Sequence, residues 1–151
     1  MYTCIRANAE NADFQQLVRE LDAALRILDG EDHLFYAQFN KIDKIKYAII
    51  AYDNDVPVGC GAIKNYDPDS MEVKRMYVLP DKRGQGIALA ILHELEQWAL
   101  ELGGRKCQLE TGKKQPEAIA LYAKNGYRII PNFGQYEKVE SSVCFEKVLF
   151  Q

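Results

Sequence analysis

Apolar residues along this chain change period several times, and each change marks an element. Residues 2–6 alternate weakly and predict a first strand. Residues 13–28 predict a helix, because Leu17, Val18, Leu21, Ala24, Leu25 and Leu28 recur at spacings of three and four. Asp29-Gly30 ends it. Residues 31–46 are less regular, with acids at Glu31 and Asp32 and aromatics at Phe35, Tyr36 and Phe39. They suggest a short helix and a loop. Residues 47–52 and 56–63 read as two strands around the Asp53-Asn54-Asp55 turn, which makes a hairpin. After a turn at Asp67-Pro68-Asp69, residues 71–79 form a third strand. Plain alternation puts Val73, Arg75 and Tyr77 on one face and Glu72, Lys74, Met76 and Val78 on the other.

Pro80 stops that strand, and the clearest helical stripe follows: Ala88, Ile91, Leu92, Leu95, Trp98, Ala99 and Leu102. Gly103-Gly104 closes it as a C-cap. Residues 106–111 read as a strand, 115–125 as a helix closed by Gly126, and 127–130 and 142–150 as two last strands. The first half is antiparallel. The strand–helix–strand crossover then makes 71–79 and 106–111 parallel, if they share a sheet. The expected architecture is α/β (α+β): one mixed sheet of about six to seven strands flanked by about four helices. No repeat or linker interrupts it, so a single domain over 1–151 is expected.

Composition narrows the function classes. The chain has 151 residues, 48% apolar and 27% charged, with a formal net charge of -3. That balance argues against a dedicated nucleic-acid binder. No apolar run is long enough to span a bilayer, and the N-terminal residues lack a basic-then-apolar export pattern. A cytoplasmic protein with no membrane partner is the expectation. Four cysteines at 4, 60, 107 and 144 are scattered, and only His33 and His93 could join them. Reduced thiols and no metal site follow. Leu149-Phe150-Gln151 match the end of a viral protease recognition site, so Gln151 is assigned no role.

The informative segment is Val78-Leu79-Pro80-Asp81-Lys82-Arg83-Gly84-Gln85-Gly86-Ile87-Ala88. It runs from a strand through a glycine turn into a helix. A helix start presents backbone N–H groups without helical partners, and the helix dipole adds positive potential. That combination holds phosphate. Gly84 and Gly86 allow close approach to the backbone, and Arg83 adds a charge-assisted donor. An ordinary turn with solvated charges stays open at this point. Asp81 stands where a P-loop needs its first glycine, and Leu89 where a dinucleotide fingerprint needs its third.

The segment does match Arg/Gln-x-x-Gly-x-Gly/Ala, as Arg83-x-x-Gly86-x-Ala88. With Met76-Tyr77-Val78-Leu79-Pro80 before it, Leu109-Glu110-Thr111 after it, and then Ala118-Ile119-Ala120-Leu121-Tyr122-Ala123-Lys124-Asn125-Gly126-Tyr127, it resembles the GNAT N-acetyltransferases. The resemblance in element order extends from about residue 3 to about residue 149. It implies that the two parallel central strands splay and that the pantetheine arm of acetyl-CoA lies between them. Backbone groups of Met76, Tyr77 and Val78 would face the arm, and the amides of Arg83, Gly84, Gln85, Gly86, Ile87 and Ala88 the pyrophosphate. Val78 N–H would stabilise the oxyanion, and Tyr122 would be the general acid at sulfur. Glu72 and Glu110 both resemble glutamates that serve as bases in different relatives, and the sequence leaves both open. The family asparagine expected after the strand ending at Thr111 is replaced by Lys113-Lys114-Gln115-Pro116, which puts its role in doubt.

The implied activity is acetyl transfer from acetyl-CoA to an amine by direct attack. A small-molecule acceptor is expected, chosen by residues 29–46 and the region around Tyr136. The alternatives are a non-catalytic acetyl-CoA sensor or interaction module, and acetylation of a protein amine. Related folds often dimerise through their C-terminal strands, so a homodimer is compatible with this chain.

Overall fold

The computed structural model describes residues 2–30 and 44–149. Seven strands form one sheet: β1 (Tyr2–Ala7), β2 (Tyr47–Asp53), β3 (Val56–Asp67), β4 (Ser70–Val78), β5 (Lys106–Gly112), β6 (Arg128–Ile130) and β7 (Ser142–Val148). Their spatial order is β1-β2-β3-β4-β5-β7-β6. Three α-helices occur among the described residues: α1 (Ala12–Asp29), α2 (Ile87–Glu101) and α3 (Pro116–Lys124). The strand count agrees with expectation. The expected short helix within 31–46, with Glu31, Asp32, Phe35, Tyr36 and Phe39, falls on residues 31–43, outside the described residues.

The described residues up to Lys64, with Val73–Gln97, form one compact unit, and Asn65–Glu72 with the described residues from Trp98 onward form another. In the first unit, α1 starts where the Asn11 side chain accepts the Phe14 N–H at 3.0 Å. It ends where Gly30, at φ 55°, donates its N–H to Arg26. The stripe read from the sequence supplies Leu17 and Val18, and Phe14 joins them. These three pack on Ile45, Ala48, Ile50, Cys60, Ala62 and Tyr77. Full burial of a Phe or Leu of this kind contributes about 1.5–3 kcal/mol.

The α2 side of the sheet is flatter. An ideal Cβ on Gly61 would stand 2.6 Å from Met76 Sδ and 2.8 Å from Ile91 Cγ2. One on Gly59 would stand 3.0 Å from Ile91 Cδ1 and from the Tyr77 carbonyl oxygen. Two glycines spaced by one residue on β3 therefore let α2 lie close.

Strand β4 departs from plain alternation. Arg75 has φ 59°, left-handed and uncommon for a residue with a Cβ. Its buried guanidinium pairs with Asp22 of α1, and its carbonyl accepts the Cys60 thiol at 3.4 Å. Met71 lies against Gly104, just past α2, and Met76 lies against Ile91 and Leu95 of α2. Residues five apart face opposite ways in a regular strand, so one extra residue has been inserted between them. This corrects the face assignment made from sequence. Tyr77 sits in the α1 core and Met76 on the α2 side, but the parity holding at Met71 is reversed there. Nothing in the letters of residues 70–78 marks the site, because arginine carries no left-handed signal.

In the second unit, β4 and β5 pair in parallel over Ser70–Glu72 and Lys106–Gln108, as the crossover rule required. Strand β5 pairs antiparallel with β7 along its whole length, and β6 adds to β7. Register partners share a face. Glu72, Gln108, Glu110, Ser142, Cys144 and Glu146 therefore line one face, and Leu109, Thr111, Val143 and Phe145 the other. Glu146 is held on its face by Arg128 and by Lys106, and the Arg128 hydrogen bond lowers its carboxyl below the ordinary value. Helix α2 ends as expected, with Gly103 at φ 91° and the Gly104 N–H donating to Ala99 at 2.8 Å. Cys60, Cys107 and Cys144 are buried and Cys4 is partly exposed, and none of the four is in a disulfide. Among the described residues, no helix is long and apolar enough to cross a membrane.

The Gly61→Ala variant is expected to lose about 1–3 kcal/mol through overpacking against Met76 and Ile91. A thermal melt beside Gly112→Ala, whose added Cβ would meet its nearest neighbour at an ordinary 3.5 Å, checks that crowding rather than glycine content is responsible. A Gly61→Ala melt equal to wild type would contradict the close approach of α2.

Candidate active site

The glycine turn belongs to the first unit, and its geometry follows from local constraints. Leu79 N–H still donates to Val58 at 2.9 Å, so β4 stays attached to β3 up to the turn. Pro80–Lys82 make one 3-10 turn. Gly84 and Gly86 then adopt φ 78° and 83°. Their ideal Cβ positions meet nothing within 4 Å. Backbone conformation, rather than crowding by the protein, therefore requires glycine at both positions. The Gly86 carbonyl accepts the Ala90 N–H at 3.0 Å, the first bond of α2. The N–H groups of the first helical turn, including Ile87 and Ala88, precede any helical acceptor.

Three side chains of the turn are tied down. Arg83 Nε donates to the Val78 carbonyl at 2.9 Å, and its guanidinium carbon lies 5.6 Å from the Tyr77 ring centroid. Lys82 Nζ is 3.2 Å from the Asp53 carboxylate. The Tyr2 phenol bonds Gln85 Oε1. Arg83 thus has a role beyond that of a charged donor: it couples the turn to the last residue of β4. Asp53 and Tyr2 lie far off in sequence, and no local signal announces them.

The acid–base candidates belong to the second unit. Glu72 of β4 is 3% exposed, whereas Glu110 of β5 is half-buried. Both carboxylates act on the Tyr136 phenol, which burial first, and then Glu110 and Glu72, hold above the ordinary range. The Cys144 thiol is pushed up to about 11, by burial first and then by the same two carboxylates. Ser142 Oγ donates to Glu110 Oε2 at 2.5 Å. Glu72, Glu110, Tyr136, Ser142 and Cys144 therefore form one cluster. Sequence reasoning found its two glutamates and the region of Tyr136. It missed Ser142, for which only the alternation of β7 gives a hint.

Tyr122 lies on α3 and is buried. Its ring packs against Tyr127 at 5.6 Å and Phe145 at 6.0 Å between centroids. Burial raises its phenol, so it keeps its proton at neutral pH. Phe145 is on the opposite face of the β5–β7 ladder from Glu110. The Tyr122 ring therefore approaches from the other side of the ladder than the carboxylates.

The strand–turn–helix geometry and the element order coincide with one known family. A model of the acetyltransferase (GNAT) family matches residues 14–127. The chain belongs to the GNAT family. It is accordingly an acyl-CoA-dependent N-acyltransferase. A protein of Azospirillum brasilense named IAA acetyltransferase is 36% identical over 137 residues, 89% of each chain. A Klebsiella pneumoniae protein of known structure, assigned as an acyl-CoA N-acyltransferase, superposes with TM-score 0.84 at 32% identity over 99% of each chain. The PaiA N-acetyltransferase of Thermoplasma acidophilum, solved with coenzyme A, shares the fold at TM-score 0.73 and 17% identity, over 98% of this chain and 99% of that one.

Replacing Gly86 by Ala puts a Cβ on a left-handed backbone, at a cost of about 1–2 kcal/mol. The GNAT turn should therefore melt with the protein a few degrees lower. A calorimetric scan of Gly86→Ala against wild type checks this, and an unchanged melting temperature would contradict the φ of 83°.

Proposed function

We propose that this protein transfers the acetyl group of acetyl-CoA to a primary amine of a small molecule by direct attack. The observation that carries the reading is the turn at residues 83–88, with two left-handed glycines and a helix start. Backbone amides of Gly84, Gln85, Gly86, Ile87 and Ala88 hold the pyrophosphate, because N–H groups at a helix start and the helix dipole favour an anion there; the Arg83 N–H, expected from sequence to join them, instead donates to the Pro80 carbonyl at 3.4 Å. Met76, Tyr77 and Val78 offer backbone groups to the pantetheine arm. Arg83, through the Val78 carbonyl, keeps arm site and phosphate site in register. The reading treats the chain as one catalytic domain working in the cytoplasm.

In the reaction, a carboxylate takes a proton from the bound ammonium. The neutral amine nitrogen attacks the thioester carbonyl, and Val78 N–H stabilises the oxyanion. The C–S bond breaks, the Tyr122 phenol protonates the leaving thiolate, and the nitrogen gives up its second proton as the amide forms, which restores the phenol by way of solvent. Amide and free coenzyme A result. Glu110 is the carboxylate favoured as base, since it is half-buried while Glu72 is closed off. Acid and base on opposite faces of the ladder suit this division of work, because one serves the nitrogen and the other the sulfur. The acidic cluster also favours an acceptor that arrives as a cation.

The test is thiol release from acetyl-CoA with spermidine, free amino acids, an aminoglycoside and a lysine-containing peptide. Release with at least one small amine, reduced roughly 100-fold or more by Tyr122→Phe, is the expected outcome. Release with the peptide alone would move the acceptor to protein amines. Thermal stabilisation by acetyl-CoA without release on any amine would replace catalysis by sensing.

A further inference from the structure

Ser142 is 3% exposed, and its backbone is held on both sides. Its N–H donates to Val139 at 3.1 Å. Asn132 Nδ2 donates to the carbonyl oxygens of Val139 at 3.0 Å and of Ser142 at 3.3 Å. One residue back, Ser141 accepts the Lys113 N–H at 2.8 Å, joining this corner to the end of β5. The hydroxyl is thereby presented to Glu110 Oε2. A hydroxyl so placed both orients the carboxylate and favours its charged form. A floppy carboxylate would spend much of its time out of reach of the amine, and catalysis is sensitive to such misplacement.

We infer that Ser142 is a positioning residue that holds Glu110 in the orientation of the general base, with Asn132 fixing Ser142 in turn. The inference rests on the reading of Glu110 as the base. The other ionisable groups on this face are Glu72 from β4, Tyr136 from the turn after β6, Cys144 from β7, and Glu146 from β7, which Lys106 and Arg128 hold. Tyr136 is set by its own aromatic contacts: Phe133 packs edge-on against it at 5.9 Å and against Tyr66 at 5.3 Å.

The experiment measures kcat/KM against pH for wild type, Ser142→Ala, Ser142→Thr, Glu110→Gln and the Ser142→Ala/Glu110→Gln pair, using the most active amine of the panel above. Ser142→Ala should lower kcat/KM roughly tenfold and leave the KM for acetyl-CoA unchanged. Its acid limb should move to higher pH, because a carboxylate without its donor is protonated sooner as the pH falls. Ser142→Thr keeps a hydroxyl and should recover much of the rate. In the Glu110→Gln background, Ser142→Ala should cost nothing further. Additive losses, or an acid limb that does not move, would overturn the role of Ser142. Full activity of Glu110→Gln, or silence of the whole amine panel, would instead overturn the base reading on which it stands.

Discussion

The left-handed backbone of Arg75 decides what every later residue of β4 faces. A non-glycine residue in that region costs about 1–2 kcal/mol, so surrounding contacts must hold it there. They include the ion pair of the buried guanidinium with Asp22 and the Cys60 thiol bonded to the Arg75 carbonyl. With one residue inserted, Tyr77 enters the core built on Phe14, Leu17 and Val18. Met76 turns to Ile91 and Leu95 beside Gly61. Val78 then ends the strand where its carbonyl meets Arg83. Without the insertion, Met76 and Tyr77 would exchange sides, and neither the α1 core nor the α2 contact would close.

The glycine turn inherits its position from that strand. Its conformation is local, set by Pro80 and by two glycines at positive φ. Its attachment is not local. Asp53 reaches it from the β2 end, Tyr2 from β1, and Val78 from β4. A phosphate site made of backbone amides works when those amides are already oriented. The three ties supply orientation without using the amides themselves.

The second unit sorts its side chains by sheet face. In β5 and β7, alternate residues such as Leu109, Val143 and Phe145 are apolar, and Phe145 packs with Tyr122, while the intervening ones gather carboxylates, a hydroxyl, a thiol and the overlying Tyr136 phenol. Burying such groups is costly unless they are paired. Glu146 is satisfied by Arg128 and Lys106, and Glu110 accepts the Ser142 hydroxyl.

The helices α1 and α2, the β2–β3 hairpin, the parallel β4–β5 crossover and the glycine turn were all legible in the letters, because each depends on residues close in sequence: a stripe at three and four, a turn between alternating runs, a glycine pair before a helix. So were Tyr122, Glu72 and Glu110 as candidates, through the resemblance of short motifs. The sequence was silent on the insertion at Arg75, since that conformation depends on Asp22, 53 residues earlier, and on Cys60. It was silent on Ser142, whose partner lies 32 residues away across the ladder. Local patterns determine which elements form and which face of each is apolar. Only packing decides which buried polar groups meet, because a buried donor takes the acceptor that the fold brings within reach.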